Sequence, residues 1–224
     1  MRNKFEKQLA KLNEELVHMG SMMEQSIEMA ISALVKHDTE KAQKTILFAD
    51  EIERKEKEIE NMCFQILMSQ QPVAGDLRKV SSALKMVTDM KRIGDQAGDI
   101  AEISIHLADK EYIKQLDHLP KMAKETTVMV INSIEAFVRG DIILAGEVIR
   151  SDDIVDDLFV TVKEELIGLI HTNPQNGEQA TDLLMIAKYF ERIGDHAVNI
   201  AEWVIFSITG NNYVENKEKT TIVS

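Results

Sequence analysis

Arg92-Ile93-Gly94-Asp95-Gln96-Ala97-Gly98-Asp99-Ile100-Ala101-Glu102 returns one hundred residues later. There it reads Arg192-Ile193-Gly194-Asp195-His196-Ala197-Val198-Asn199-Ile200-Ala201-Glu202. Between 91–102 and 191–202, eight of twelve residues are identical. The chain is therefore two copies of one unit, and every later reading has to respect that. The repeat extends upstream, where Leu34-Val35-Lys36-His37-Asp38 matches Phe137-Val138-Arg139-Gly140-Asp141 at an offset of 103. Asp50 falls on Asp153, Ile52 on Val155, Glu53 on Asp156 and Ile66 on Leu169 at that same offset. The drop from 103 to 100 places a length difference of three residues in the connections holding Pro72 and Pro174, where loops absorb such changes.

Apolar residues recur at three- and four-residue spacing along most of the chain, the period of an amphipathic helix. Leu9, Leu12, Leu16, Met19, Met23, Ile27, Ile31 and Leu34 predict a first helix over about 5–36. Ala42, Ile46, Ala49, Ile52, Ile59, Met62 and Ile66 predict a second over 39–69, with Asp38 as its N-cap. Leu77, Val80, Leu84, Val87, Ile93, Ala97, Ile100 and Ile103 predict a third over 74–107. The plan repeats at 119–139, 141–171 and 178–208. Alternating strand patterns are missing, and the three prolines all fall between periodic segments. The expected fold is all-α, two tandem pseudo-symmetric three-helix bundles, with repeats over 1–110 and 111–210 and a polar, frayed tail over 211–224.

Composition narrows the function. The 224 residues carry a formal charge of −12, which repels a phosphate backbone in the absence of a basic patch. Lys79, Lys85, Lys91 and Arg92 are interspersed with acids, so direct nucleic-acid binding is not expected; cations or a basic protein partner suit the surface better. No apolar run is long enough to span a membrane and no signal peptide opens the chain, so the expected location is cytoplasmic, without membrane insertion. Cys63, the single cysteine, lies among apolar neighbours and reads as core.

The repeated segment carries the candidate chemistry. Residues four apart share a helix face, which aligns Asp95 with Asp99, and Glu191 with Asp195 and Asn199. Hard oxygen ligands on one face are suited to a divalent or trivalent cation. The second helix of each half adds acids: Asp50, Glu53, Glu56 and Glu60 in one, Asp152, Asp153, Asp156 and Asp157 in the other. Side-by-side packing of the second and third helices would bring Asp153 and Asp156 toward Asp195. The same spacing also describes an ordinary solvated helix face, and Arg92–Asp95 and Arg192–Asp195 also read as plain surface pairs. His196 is a candidate nitrogen ligand with Gln96 as its counterpart. No Cys–His pair, phosphate-binding glycine loop or nucleophile elbow is present, and the lone Glu15-x-x-His18 is incidental. The chain does not read as an enzyme.

These motifs resemble the PhoU family of bacterial phosphate-signalling regulators along residues 5–210. Glu191 to Glu202 is similar to the family's Glu-Arg-Ile-Gly-Asp-x-Ala-x-Asn-Ile-Ala-Glu, and Gln71-Pro72-Val73-Ala74-Gly75-Asp76-Leu77-Arg78 to its Gln-Pro-x-Ala-x-Asp-Leu-Arg stretch. The resemblance implies a cytoplasmic adaptor, often a homodimer. It implies two partners, the ATPase subunit of the phosphate ABC transporter and the phosphate-sensing histidine kinase. It also implies repression of the phosphate regulon in high phosphate and restraint of uptake. Some members carry multinuclear iron or zinc clusters on Glu/Asp-x-x-x-Asp motifs; carried over, these fall on Glu191 and Asp195. The alternative is a metal-binding partner of a Pit-type phosphate transporter, as PhoU-like relatives are. In the first half Lys91 stands where the glutamate is expected, and an ammonium repels a metal.

Overall fold

A computed structural model describes residues 2–70 and 73–211. Gln71 and Pro72 of the second motif, and the tail over 212–224, lie outside the described residues. The first half is α1 (Arg2–Lys36), α2 (Thr39–Gln70) and α3 (Ala74–Leu107). The second half is α4 (His118–Arg139), α5 (Ile142–Thr172) and α6 (Gly177–Thr209), with a single 3-10 turn at Pro174–Asn176 ahead of α6. There is no strand among the described residues. The predicted boundaries hold to within a few residues because caps and turns set them. Asp38 Oδ1 accepts from the Lys41 amide at 2.9 Å, and Asp141 Oδ1 from the Ile143 and Leu144 amides at 3.0 Å each. Each cap contributes about 1 kcal/mol.

Within each half the three helices pack on one another, and the halves meet mainly where α3 lies along α6, with α1 against α4 as a second contact. Most of the seams read from the sequence are core: Leu12, Leu16, Met19, Met23, Ile27, Ile52, Ile59, Ile66, Val80, Val87 and Ile93 are buried in the first half, joined by Met86 and Met90, while Leu77 at the start of α3 is exposed. Ile186, Phe190, Ile193, Ala197 and Ile200 are fully buried on α6. Cys63 is buried as expected, and burial pushes its thiol up to about 12, where it is inert.

The turn between the first two helices of each half needs a residue in the left-handed region. Gly140 supplies it at φ 66° without steric cost. His37 stands at the matching place with φ 54° and bears the strain of a side chain there. Contacts from the linker offset it. The His37 ring stacks on Tyr112 at 4.4 Å, and its Nδ1–H donates to the Ala108 carbonyl at 2.9 Å. Tyr112 in turn donates its hydroxyl hydrogen to the Leu34 carbonyl at 2.6 Å. The linker is thereby fastened to the first half.

Candidate functional site

In the second half α5 presents Asp152 and Asp156 beside Glu191 and Asp195 on α6, while the exposed Asp153 acts on Asp152 and Asp156 along its own helix. Gly194 is what lets them approach: a Cβ there would lie 2.9 Å from Asp152 Oδ1. Asp152 Oδ1 is buried and has no hydrogen-bond partner among the described residues, an expensive state for a carboxylate oxygen. Its pKa is pushed up to about 7, first by burial and then by the charges of Asp156, Asp195, Glu191 and Asp153. Burial and Glu191 also raise Asp156 and Asp195. Lys188 offers one compensating charge, paired with Glu191.

This is a set of carboxylates that repel one another, with too little positive charge between them. Among the described residues no group of three or more His, Cys, Asp or Glu side chains is gathered closely enough to hold an ion as it stands. The donors nevertheless fit a hard or borderline cation: all are carboxylates, one oxygen is orphaned, and their mutual repulsion is what a cation would relieve.

The first half solves the same problem internally. Ala49 occupies the place of Asp152, so no buried acid lies behind Gly94; Ile52 is packed there instead. Lys91 reaches Asp95 at 2.5 Å, and that hydrogen bond, aided by the nearby Glu53 and Glu56, raises the lysine pKa. Glu53 is held by Lys57 at 2.6 Å. An ammonium thus sits where the second half has a carboxylate.

Two residues of the repeated segment point elsewhere. Asn199 donates its amide to Asp89 Oδ1 at 3.2 Å, across the boundary between the halves. His196 Nδ1 lies 2.9 Å from the same oxygen. Asp89 is only 7% exposed, so these contacts satisfy a nearly buried carboxylate. Asp99 is on the same interface of α3 with α6: burial, Glu102 and Asp95 raise its pKa, and Arg192 opposes them. Sequence reading passed over Asp89 because its counterpart is Tyr189, and a repeat comparison gives no weight to an unmatched position.

The expected Arg–Asp surface pairs do not form. Asp95 is taken by Lys91, Arg92 approaches Asp89 at 3.8 Å, and Arg192 makes no ion pair among the described residues. Both guanidiniums instead line an open polar cleft of about 620 Å³ between α3 and α6, with Gln96, Asp195, His196, Val198 and Asn199.

Comparison with known proteins is consistent along most of the chain. The PhoU domain family model matches twice, over residues 16–104 and 119–204. The chain is 37% identical, over 92% of its length, to a phosphate-specific transport system accessory protein PhoU homolog of Clostridium acetobutylicum, covering 94% of that protein. A homolog of the same description from Pseudomonas aeruginosa is 32% identical over 93% of this chain and 86% of its own. The crystal structure of PhoU from Pseudomonas aeruginosa superposes with a TM-score of 0.88 at 33% identity, covering 92% of this chain and 100% of that one. The phosphate transport system regulatory protein PhoU from Streptococcus pneumoniae gives 0.85 at 27% identity, covering 93% and 98%.

Proposed function

The chain belongs to the PhoU family, and from that membership we propose that it is a regulatory accessory protein of phosphate transport. The single observation that carries this is breadth: family matches fall on both halves, and relatives named as transport accessory proteins align over most of both partners. In this reading the chain acts in the cytoplasm, as a homodimer, by binding rather than by catalysis. Its partners are the ATPase subunit of the phosphate ABC transporter and the phosphate-sensing histidine kinase; it represses the phosphate regulon when phosphate is plentiful and restrains uptake. No helix among the described residues is long and apolar enough to cross a membrane. An acidic surface speeds association with a basic partner face, more so at low salt. Deleting the gene is expected to leave phosphate-starvation genes active in rich phosphate. Unchanged expression and uptake after deletion, with neither partner recovered in pull-downs, would overturn the assignment.

The second half is also proposed to bind a transition metal, iron or zinc, through Glu191 and Asp195 with Asp152 and Asp156 beside them and Asp153 next to Asp152 on α5. The orphaned Asp152 oxygen supports this. A bound cation would draw the carboxylates together and remove their repulsion. Because Asp152 must release its proton first, binding strengthens as pH rises through about 7.

A further inference from the structure

The cleft between α3 and α6 shares Asp195 with the carboxylate cluster but is otherwise lined by other residues, and no part of the regulatory reading uses it. Its two arginines are equivalent residues of the two repeats, at the same place in the most strongly repeated segment of the chain. Their own surroundings do not account for them. Neither guanidinium donates a hydrogen bond to another described residue, and Arg192 has no ion-pair partner among them. Among the described residues Arg92 is ion-paired only with Asp89, at 3.8 Å, whose Oδ1 already accepts from Asn199 and faces His196 Nδ1. One arginine from α3 and one from α6 line the same cleft, and guanidiniums are the donors that tetrahedral oxyanions select. Gln96, one turn from Arg92 on α3, also lines the cleft and carries an amide that donates as well as accepts. Acids flank the cleft as well: Asp89 beside Arg92, Asp195 in the lining, and Asp99, which lies close enough to Arg192 to feel its charge. Asp195 also belongs to the carboxylate cluster, so a cation there would reduce the opposing charge on this wall.

From this arrangement we infer that Arg92 and Arg192 bind a tetrahedral phosphoryl oxyanion in the cleft between the two halves. The site draws one guanidinium from each repeat, so it exists only when α3 and α6 are packed as they are here. Occupancy therefore ties the ligand to the arrangement of the two halves, a means by which an adaptor reports a small molecule to its partners. In that last respect the inference rests on the regulatory reading above; the binding site itself does not.

The test is isothermal titration of the full chain with inorganic phosphate, and separately with ATP, in chelator-treated buffer. Variants Arg92→Gln, Arg192→Gln and the exposed control Arg54→Gln follow under the same conditions. Saturable binding is expected, weakened about tenfold or more by either cleft variant and unaffected by Arg54→Gln, each variant being confirmed folded by circular dichroism. Response to inorganic phosphate identifies a free ion as the source, and response to ATP alone identifies a phosphate ester; either one supports the site if the cleft variants abolish it. No binding of either ligand overturns the inference, as does binding that both cleft variants retain. Phosphate that binds only with added metal, is lost in Asp195→Ala and persists in the arginine variants overturns it while leaving the metal proposal intact.

Discussion

Lys91 and Glu191 occupy the same position in two copies of one helix, and the surroundings of each have followed its charge. Around Lys91 much of the cluster is neutralised from within: Asp95 takes the ammonium, Glu53 takes Lys57, and Ala49 leaves no acid behind Gly94, while burial and Glu60 still raise the Glu56 carboxyl. Around Glu191 the acids accumulate, Asp152 replaces the alanine, and one buried oxygen has no partner. The same frame thus holds its own cation on one side and lacks one on the other. A repeat preserves the scaffold, while single substitutions decide whether its acidic face is neutralised from within.

The largest test of this comparison concerns the shared scaffold. Phe190 and Met90 are equivalent and both fully buried. Phe190→Ala is expected to cost about 3–5 kcal/mol and Met90→Ala about 2–5 kcal/mol in urea unfolding. A loss under 1 kcal/mol for either would mean that the halves do not share one packing plan.

The glycines sharpen the contrast. A Cβ on Gly94 would lie 2.9 Å from Ile52 Cδ1 and Cγ2, with the fully buried isoleucine unable to withdraw. Gly94→Ala is expected to destabilise by about 1–2 kcal/mol, overpacking outweighing the gain in helix propensity. At Gly194 the atom in the way is a carboxylate oxygen on a side chain that can turn outward. Gly194→Ala is expected to stay within about 1 kcal/mol of the parent protein. Equal losses at the two sites in thermal melts would contradict the difference described.

A left-handed turn gives a smaller effect. Gly140 has φ 66° with open space around its Cα, so Gly140→Ala is expected to cost about 1 kcal/mol from backbone strain alone. His37→Gly in the first half removes similar strain but also the Tyr112 stacking and the bond to Ala108, and its net change in melting is expected to be smaller. A stabilisation of more than about 1 kcal/mol by His37→Gly would show that the linker contacts contribute nothing.

The smallest stability change is a pH effect. The folded-state pKa of Asp152 lies above its ordinary value of 3.8, so the protonated form is the one that folding favours. Stability from this group is present below about pH 4 and lost as pH rises through about 7. In chelator, Asp152→Asn is expected to be more stable than the parent by about 1 kcal/mol at pH 8, after allowance for solvent screening, and equal to it near pH 4. An advantage that is independent of pH would show that burial, not charge, sets the difference.

The frame was legible because it is written in periodicity. Leucines and isoleucines at helical spacing located all six helices, and Asp38 marked one start through its capping oxygen, a role its counterpart Asp141 also plays in the structure. The site was legible only in outline. Four-residue spacing placed Glu191 and Asp195 on one face, yet the same spacing named Asn199, which the structure turns toward Asp89 in the other half. That choice depends on which helix packs alongside, and a pattern within one helix does not carry it. Asp152 stood out in the sequence as one acid among four, while its buried oxygen depends on the missing Cβ of a glycine on another helix. The arginines were read as partners of their neighbouring aspartates, because local pairing is all that sequence spacing records; the cleft they share is made by two segments one hundred residues apart.

The difference between the halves is tested most directly by measuring metal content of the parent protein, Asp195→Ala and Asp95→Ala after identical loading with zinc and desalting. The account predicts bound metal in the parent and in Asp95→Ala, and its loss in Asp195→Ala. Equal content in all three, or loss confined to Asp95→Ala, would contradict it.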